Sequence, residues 1–270
     1  MDSDFRDRIS IAVWGVVITL AASALFSLPG RDSEVMLGAT TLALPVDLKI
    51  LTPLLLALLA GTGAQAVVNA HPLVRQGKIG RTGRFWALPI AVTVIGAMLL
   101  PTMPSLLYWI VGLLTLAVLL SGVLVAIYYS LDPHATGYRR ARIVLNLTCY
   151  AVALLAFLLI PDTWRAFGRS LTLGLIATLL ALEILRGTES RVAWVSLYAS
   201  IVGVVVAQVT WALVHTNLST LSAGLLLLLL FYLLVGLSWQ TLLERLDRRV
   251  ALEFAAVGAA GLILILAFAP

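Results

Sequence analysis

The sequence predicts an all-α polytopic membrane protein: a helical bundle of about nine spans, with a cytoplasmic amino terminus and an external carboxyl terminus. Three observations predict it. Hydrophobic residues fill 61% of the 270 positions and charged residues only 11%, against about a quarter charged in a soluble domain. The apolar residues fall in repeated blocks of about twenty, the length a helix needs to cross roughly 30 Å of hydrocarbon. Runs such as GLLLLLLFYLLVGL do not alternate in polarity, which argues against the strands of a membrane barrel.

In chain order the spans are read as residues 9–28, 49–69, 86–103, 105–130, 144–161, 170–186, 192–214, 221–241 and 250–269. The first, IAVWGVVITL followed by AASALF, resembles a signal-peptide core with a small-residue site at Ala22-Ser23-Ala24. Its amino end carries Asp2, Asp4 and Asp7 with only two arginines, a poor n-region, so a retained anchor is expected. Residues 30–48 are too polar to span and too apolar to stand in water, and are expected to form an external interfacial loop or hairpin. Pro53 and Pro89 fall inside spans, where a proline can kink a helix. Gly61, Gly63, Gly258 and Gly261 make small-residue faces suited to close helix packing, within the bundle or against a partner. The connections are short, so residues 1–270 are expected to form a single integral membrane domain.

The cations set the orientation. With the amino terminus inside, fourteen of the eighteen Lys and Arg residues fall on the cytoplasmic side. That asymmetry is the positive-inside pattern. It accounts for the basic stretch HPLVRQGKIGRTGR as a cytoplasmic loop facing anionic headgroups. The stretch lacks interleaved aromatics and a nucleic-acid-binding fold around it, so nucleic acid is not an expected partner. Trp86, Tyr128, Tyr129, Trp194 and Trp239 near one set of span ends, and Tyr108, Trp109, Trp164 and Trp211 near the other, read as interfacial belts.

Chemistry is sparse. Cys149, the only cysteine, lies in apolar LTCYAVALL and reads as a buried, inert thiol. His71 and His134 are expected on the cytoplasmic side and His215 outside, so the three histidines do not converge on a metal. No HExxH, GxSxG or phosphate-loop pattern is present. The reading therefore calls for no cofactor and no metal. Intramembrane acids are functional candidates by default, yet no acid falls at a span midpoint. Glu183 is explained by a pair with Arg186 three residues on, and Glu253 by Arg249 four residues before it. The neutral polar residues Gln65 and Asn69, with Gln208 and Trp211, form a candidate polar cleft. His71, Arg75, Asp132, His134, Arg139 and Arg140 are candidate cytoplasmic headgroup contacts.

Four stretches carry a resemblance: GTGAQAVVNAHP, the LPI of FWALPIAV, YYSLDPHATGYRRARIVLN, and QVTWALVHTNLSTLSAGLLLLLLFYLLVGL. They resemble an uncharacterised family of bacterial multi-pass membrane proteins of about this length, found in Chloroflexi-like and other deep-branching bacteria. The resemblance implies a multi-pass protein of the bacterial cytoplasmic (inner) membrane and transfers no catalytic residue.

Three functions remain in view. The leading expectation is a non-catalytic scaffold or accessory subunit of a membrane complex, with membrane lipids and other membrane-protein subunits as partners. The alternative is a transporter or lipid-handling protein for an apolar or amphipathic solute. A lipid-acting enzyme at the cytoplasmic face, built on His71, Arg75, Asp132, His134 and the arginines after Tyr138, ranks last.

Overall fold

A computed structural model describes residues 3–25, 34–37, 40–43, 48–77, 83–132, 134–159, 166–188, 191–216 and 218–267. Lys78, Arg81, Arg31, Arg165 and Trp164 lie outside the described residues. The chain is a helical membrane protein. Among the described residues, five helices are long and apolar enough to cross a bilayer, and Pro53–Asn69 and Ala87–Thr102 are shorter apolar helices. The chain divides into two compact units, Met1–Leu131 and Asp132–Pro270.

The first unit contains α1 (Ser3–Leu25), a hairpin of β1 (Glu34–Leu37) and β2 (Thr40–Ala43), α2 (Leu48–Asn69), the short α3 (Pro72–Arg75), α4 (Ala87–Leu99) and α5 (Leu106–Tyr129). The strands pair antiparallel, Val35 opposite Leu42 and Leu37 opposite Thr40, within the segment expected to form an interfacial loop or hairpin. Helix α2 is central and packs on α1, α4 and α5. Its inward residues Leu56, Ala64, Val67 and Val68 are fully buried. Lipid tails are as apolar as leucine, so helix association here rests on close van der Waals packing. Gly63 supplies it: a Cβ there would stand 2.7 Å from that of Ala12 on α1. Arg8 Nη1 also donates to the Ala66 carbonyl at 3.2 Å, joining the same two helices. Pro53 lies inside α2, whereas Pro89 falls in the first turn of α4. In a first turn the missing N–H is an orphan in any case, so Pro89 starts a helix rather than kinking one.

The second unit contains α6 (Tyr138–Leu159), α7 (Ala166–Leu185) extended by a 3₁₀ turn at Arg186–Thr188, α8 (Val192–Leu213), α9 (Thr220–Leu242) and α10 (Arg248–Ala267). Helix α6 begins six residues before the predicted span, so Arg139, Arg140 and Arg142 ride on its first turns. Helix α7 is the core: 61% of its apolar window is buried, against 28–44% for α6, α8 and α9. It packs on all three. The α7–α8 contact is closest at Gly174 and Gly203, where a Cβ on Gly174 would come within 2.8 Å of the Gly203 carbonyl. Phe157 on α6 and Phe231 on α9, both buried, meet edge to face at 6.1 Å. Helix α10 packs on α9, with Gly258 against Leu233 and Gly261 against Leu229. The glycine pairs read from the sequence thus serve contacts within each unit.

Candidate functional site

In the first unit the two amides of α2 and the Trp86 indole form a hydrogen-bonded chain. Trp86 Nε1–H donates to Gln65 Oε1 at 2.7 Å, and Gln65 Nε2 donates to Asn69 Oδ1 at 2.7 Å. The four-residue spacing on α2 stacks the two amides one turn apart. Gly61, a turn earlier, lies beside the indole, which a Cβ there would meet at 3.4 Å. Asn69 is exposed and Gln65 half-buried. The network ties α2 to the start of α4.

His71 follows directly and is buried. Its Nδ1 accepts from the Leu73 N–H at 3.2 Å, capping α3. An accepting Nδ1 places the neutral ring's proton on Nε2. The ring meets Tyr128 edge-on at 4.7 Å, and Tyr128 meets Phe5 at 4.0 Å. Half-buried Tyr128 therefore packs against other rings of its unit, while Tyr108, Trp194 and Trp211 stay exposed, as an interfacial belt requires. Arg75 ends α3 on an exposed turn. Gly77, next to it, has φ +71°, a backbone that glycine adopts without strain.

The remaining predicted residues belong to the second unit. Asp132 Oδ1 accepts from the His134 N–H at 3.0 Å, and the Asp132 carbonyl accepts from Ala135 N–H at 3.1 Å. Asp132 is thus a turn former whose carboxylate meets the backbone of His134. His134, Arg139 and Arg140 are exposed. Gln208 and Trp211 are exposed on α8, with Trp211 against His215 at 5.3 Å; Thr210 is the neighbour that turns inward.

Among the described residues, the strongest concentration of buried charge lies where α6 starts and α7 ends. Glu183 is fully buried, and Arg186 Nη2 reaches its Oε1 at 2.6 Å. Arg142 Nη1 approaches the same oxygen at 3.7 Å, with only 11% of its side chain exposed. Arg142 Nη2 also donates to the Ile184 carbonyl at 2.9 Å, one of the last carbonyls of α7. Thr188 closes the 3₁₀ turn by donating to the Leu185 carbonyl at 2.8 Å. At Gly187 a Cβ would overlap the Arg142 guanidinium and stand 3.0 Å from the Trp239 ring of α9, so a larger residue there would displace the Arg142 side chain. Among the described residues, one carboxylate thus meets two guanidiniums and links the start of α6 to the end of α7. Breaking such a group by removing one partner costs about 3–5 kcal/mol.

The Glu183–Arg186 pair is legible from spacing. Arg142 is not, because Arg139, Arg140 and Arg142 read as one cluster. The signal is helical phase. Arg142 lies three residues before buried Leu145 and seven before buried Cys149, whereas Arg139 and Arg140 face outward.

A family described as "Protein of unknown function (DUF5656)" matches residues 29–268. The chain belongs to this family. No curated protein and no solved structure matches it. For this DUF5656 protein the functional reading therefore rests on the chain's own geometry. Among the described residues no group of three His, Cys, Asp or Glu side chains could hold a metal.

Proposed function

We propose that this DUF5656 protein is a non-catalytic scaffold or accessory subunit of a complex in the bacterial cytoplasmic membrane. In this reading the chain crosses the bilayer nine times from a cytoplasmic amino terminus. The positions of α1, α2 and α4–α10 on the nine predicted segments support that topology, as does the cation asymmetry.

The observation that carries the subunit reading is α10. Among its described residues none is buried, and its packing runs along one face, against α9. Leu252, Val257, Ile263 and Leu264 leave an open apolar surface along its length. Glu253 lies on the same helix, 65% exposed and paired with Arg249 at 3.3 Å. A carboxylate a turn into a membrane helix is costly against lipid. It is better accommodated beside a polar group of a neighbouring protein. Mild extraction from the native membrane, followed by sizing and mass spectrometry of what co-elutes, tests the reading. A stoichiometric protein partner, cross-linking to a photoreactive residue at Ile263, is the expected result. A lone monodisperse chain at every detergent strength, with no protein cross-link from that position, refutes it.

A second reading, lipid handling, is favoured by one specific feature, a cavity of mixed polar and apolar lining beside Arg169.

A further inference from the structure

We propose that the exposed face of α8 is the surface through which two copies of this chain associate side by side in the membrane, with the Gln208 amides of the two copies hydrogen-bonded to each other. Helix α8 (Val192–Leu213) is one of the five helices of membrane-spanning length, and only 28% of its apolar window is buried. One face packs within the second unit through Val195, Ala199, Val202 and Val206. Another face carries Trp194, Leu197, Ile201, Val204, Gln208 and Trp211, all exposed. These residues follow one another at alternating spacings of three and four. That is a heptad seam, the pattern along which two helices wind around each other. Ala193 and Ser200, exposed on its flank, are small enough to let a second helix approach.

The amide selects the occupant. An apolar seam alone is covered equally well by lipid, since acyl chains are as apolar as leucine. Gln208 is not. It stands five residues before the last residue of α8, about 7.5 Å inside the helix end. Among the described residues its amide has no hydrogen-bond partner. It carries two N–H donors and a carbonyl acceptor, and polar groups left unsatisfied in hydrocarbon are costly. What satisfies it is a neighbouring helix that offers both an acceptor and a donor at the same depth. A second copy does so by symmetry. Two copies inserted with one orientation are related by a two-fold axis along the membrane normal, so their α8 helices run parallel and like residues face each other across the axis. The Nε2–H of each Gln208 then donates to the Oε1 of the other. One polar residue in an otherwise apolar seam also fixes the register, because sliding one helix past the other strands both amides. The proposal rests on α8 alone, and a partner protein found on α10 leaves it intact.

The test uses the full chain in membrane vesicles. Cys149 is the only cysteine, so in a Cys149→Ala background each introduced cysteine forms a disulfide only with its counterpart in a second copy. Under mild oxidation by copper phenanthroline, Ile201→Cys and Val204→Cys should each give a dimer band on a non-reducing gel. Leu175→Cys, as exposed as Val204 but on α7, should not. Association is then followed by energy transfer between donor- and acceptor-labelled copies as the vesicles are diluted with lipid. Gln208→Leu should weaken it about tenfold, the yield of two interhelical amide bonds, and Gln208→Asn should keep most of it. Gln208 is exposed, so neither variant disturbs the packed side of α8, and the cysteine pairs test the seam with Gln208 in place. A dimer from Ile263→Cys on α10 with none from the seam would support the subunit reading and overturn this one. A chain that gives no seam dimer, or seam association that Gln208→Leu leaves at wild-type strength, also overturns it.

Discussion

Replacing Glu183 by glutamine keeps the side chain's volume and removes the charge that two guanidiniums share. Glu183 is fully buried, its contact to Arg186 is 2.6 Å, and the Arg186 side chain is only 4% exposed. The variant therefore removes the carboxylate charge that both guanidiniums contact in a poorly solvated site. The expected cost is about 3–5 kcal/mol. In a domain of this size each kcal/mol moves the midpoint by about 2–4 °C, so the shift should be roughly 10 °C. Arg142→Gln should cost less, about 1–2 kcal/mol, since its carboxylate contact is 3.7 Å and what it chiefly loses is the hydrogen bond to Ile184. Replacing both members of the tighter pair, Glu183→Leu with Arg186→Met, should recover part of the loss, because the guanidinium that Glu183 holds most closely is removed with it. The protein carries its own reporter. Cys149, the only cysteine, is fully buried on α6. A thiol-reactive fluorophore during a thermal ramp therefore reads the opening of this unit. A midpoint shift under about 2 °C for Glu183→Gln, or a larger loss for Arg142→Gln, would refute the clamp.

Four further predictions follow the same logic. Gly203→Ala should destabilise by about 1–3 kcal/mol in the same thermal assay, because its Cβ would collide with Thr178 Oγ1 and lie 2.5 Å from the Gly174 carbonyl. Gly122→Ala in the first unit, with nothing within 4 Å of the new Cβ, should be neutral or stabilise by up to about 1 kcal/mol, read by circular dichroism during a thermal ramp. Trp86→Phe should cost about 1 kcal/mol and couple to Gln65→Leu in a double-mutant cycle read by circular dichroism in detergent; strict additivity would show the 2.7 Å bond to be inert. Arg139→Cys in a Cys149→Ala background should be labelled by a membrane-impermeant thiol reagent only from the cytoplasmic side, and labelling from outside would reverse the proposed topology.

Composition and block length determined the class of this protein. A chain 61% hydrophobic, with apolar runs of membrane-spanning length, has no alternative to internally hydrogen-bonded helices, because unpaired backbone is costly in lipid. Short-range spacing determined as much as a helix's pitch allows: Gln65 with Asn69, Glu183 with Arg186 and Arg249 with Glu253 are all one turn apart and all meet. What spacing could not supply was the far partner. Trp86 reaches Gln65 from twenty-one residues away, and Arg142 reaches the end of α7 from forty-two. Helical phase also misled at Gln208: a residue chosen for its polarity faces outward, while Thr210, two positions on and about 200° round the helix, turns inward and lines the cavity. Sequence records which groups are polar and how far apart they stand along one helix. Which neighbouring helix covers each face is decided by where glycines let two helices close, and that is a property of the packed bundle alone.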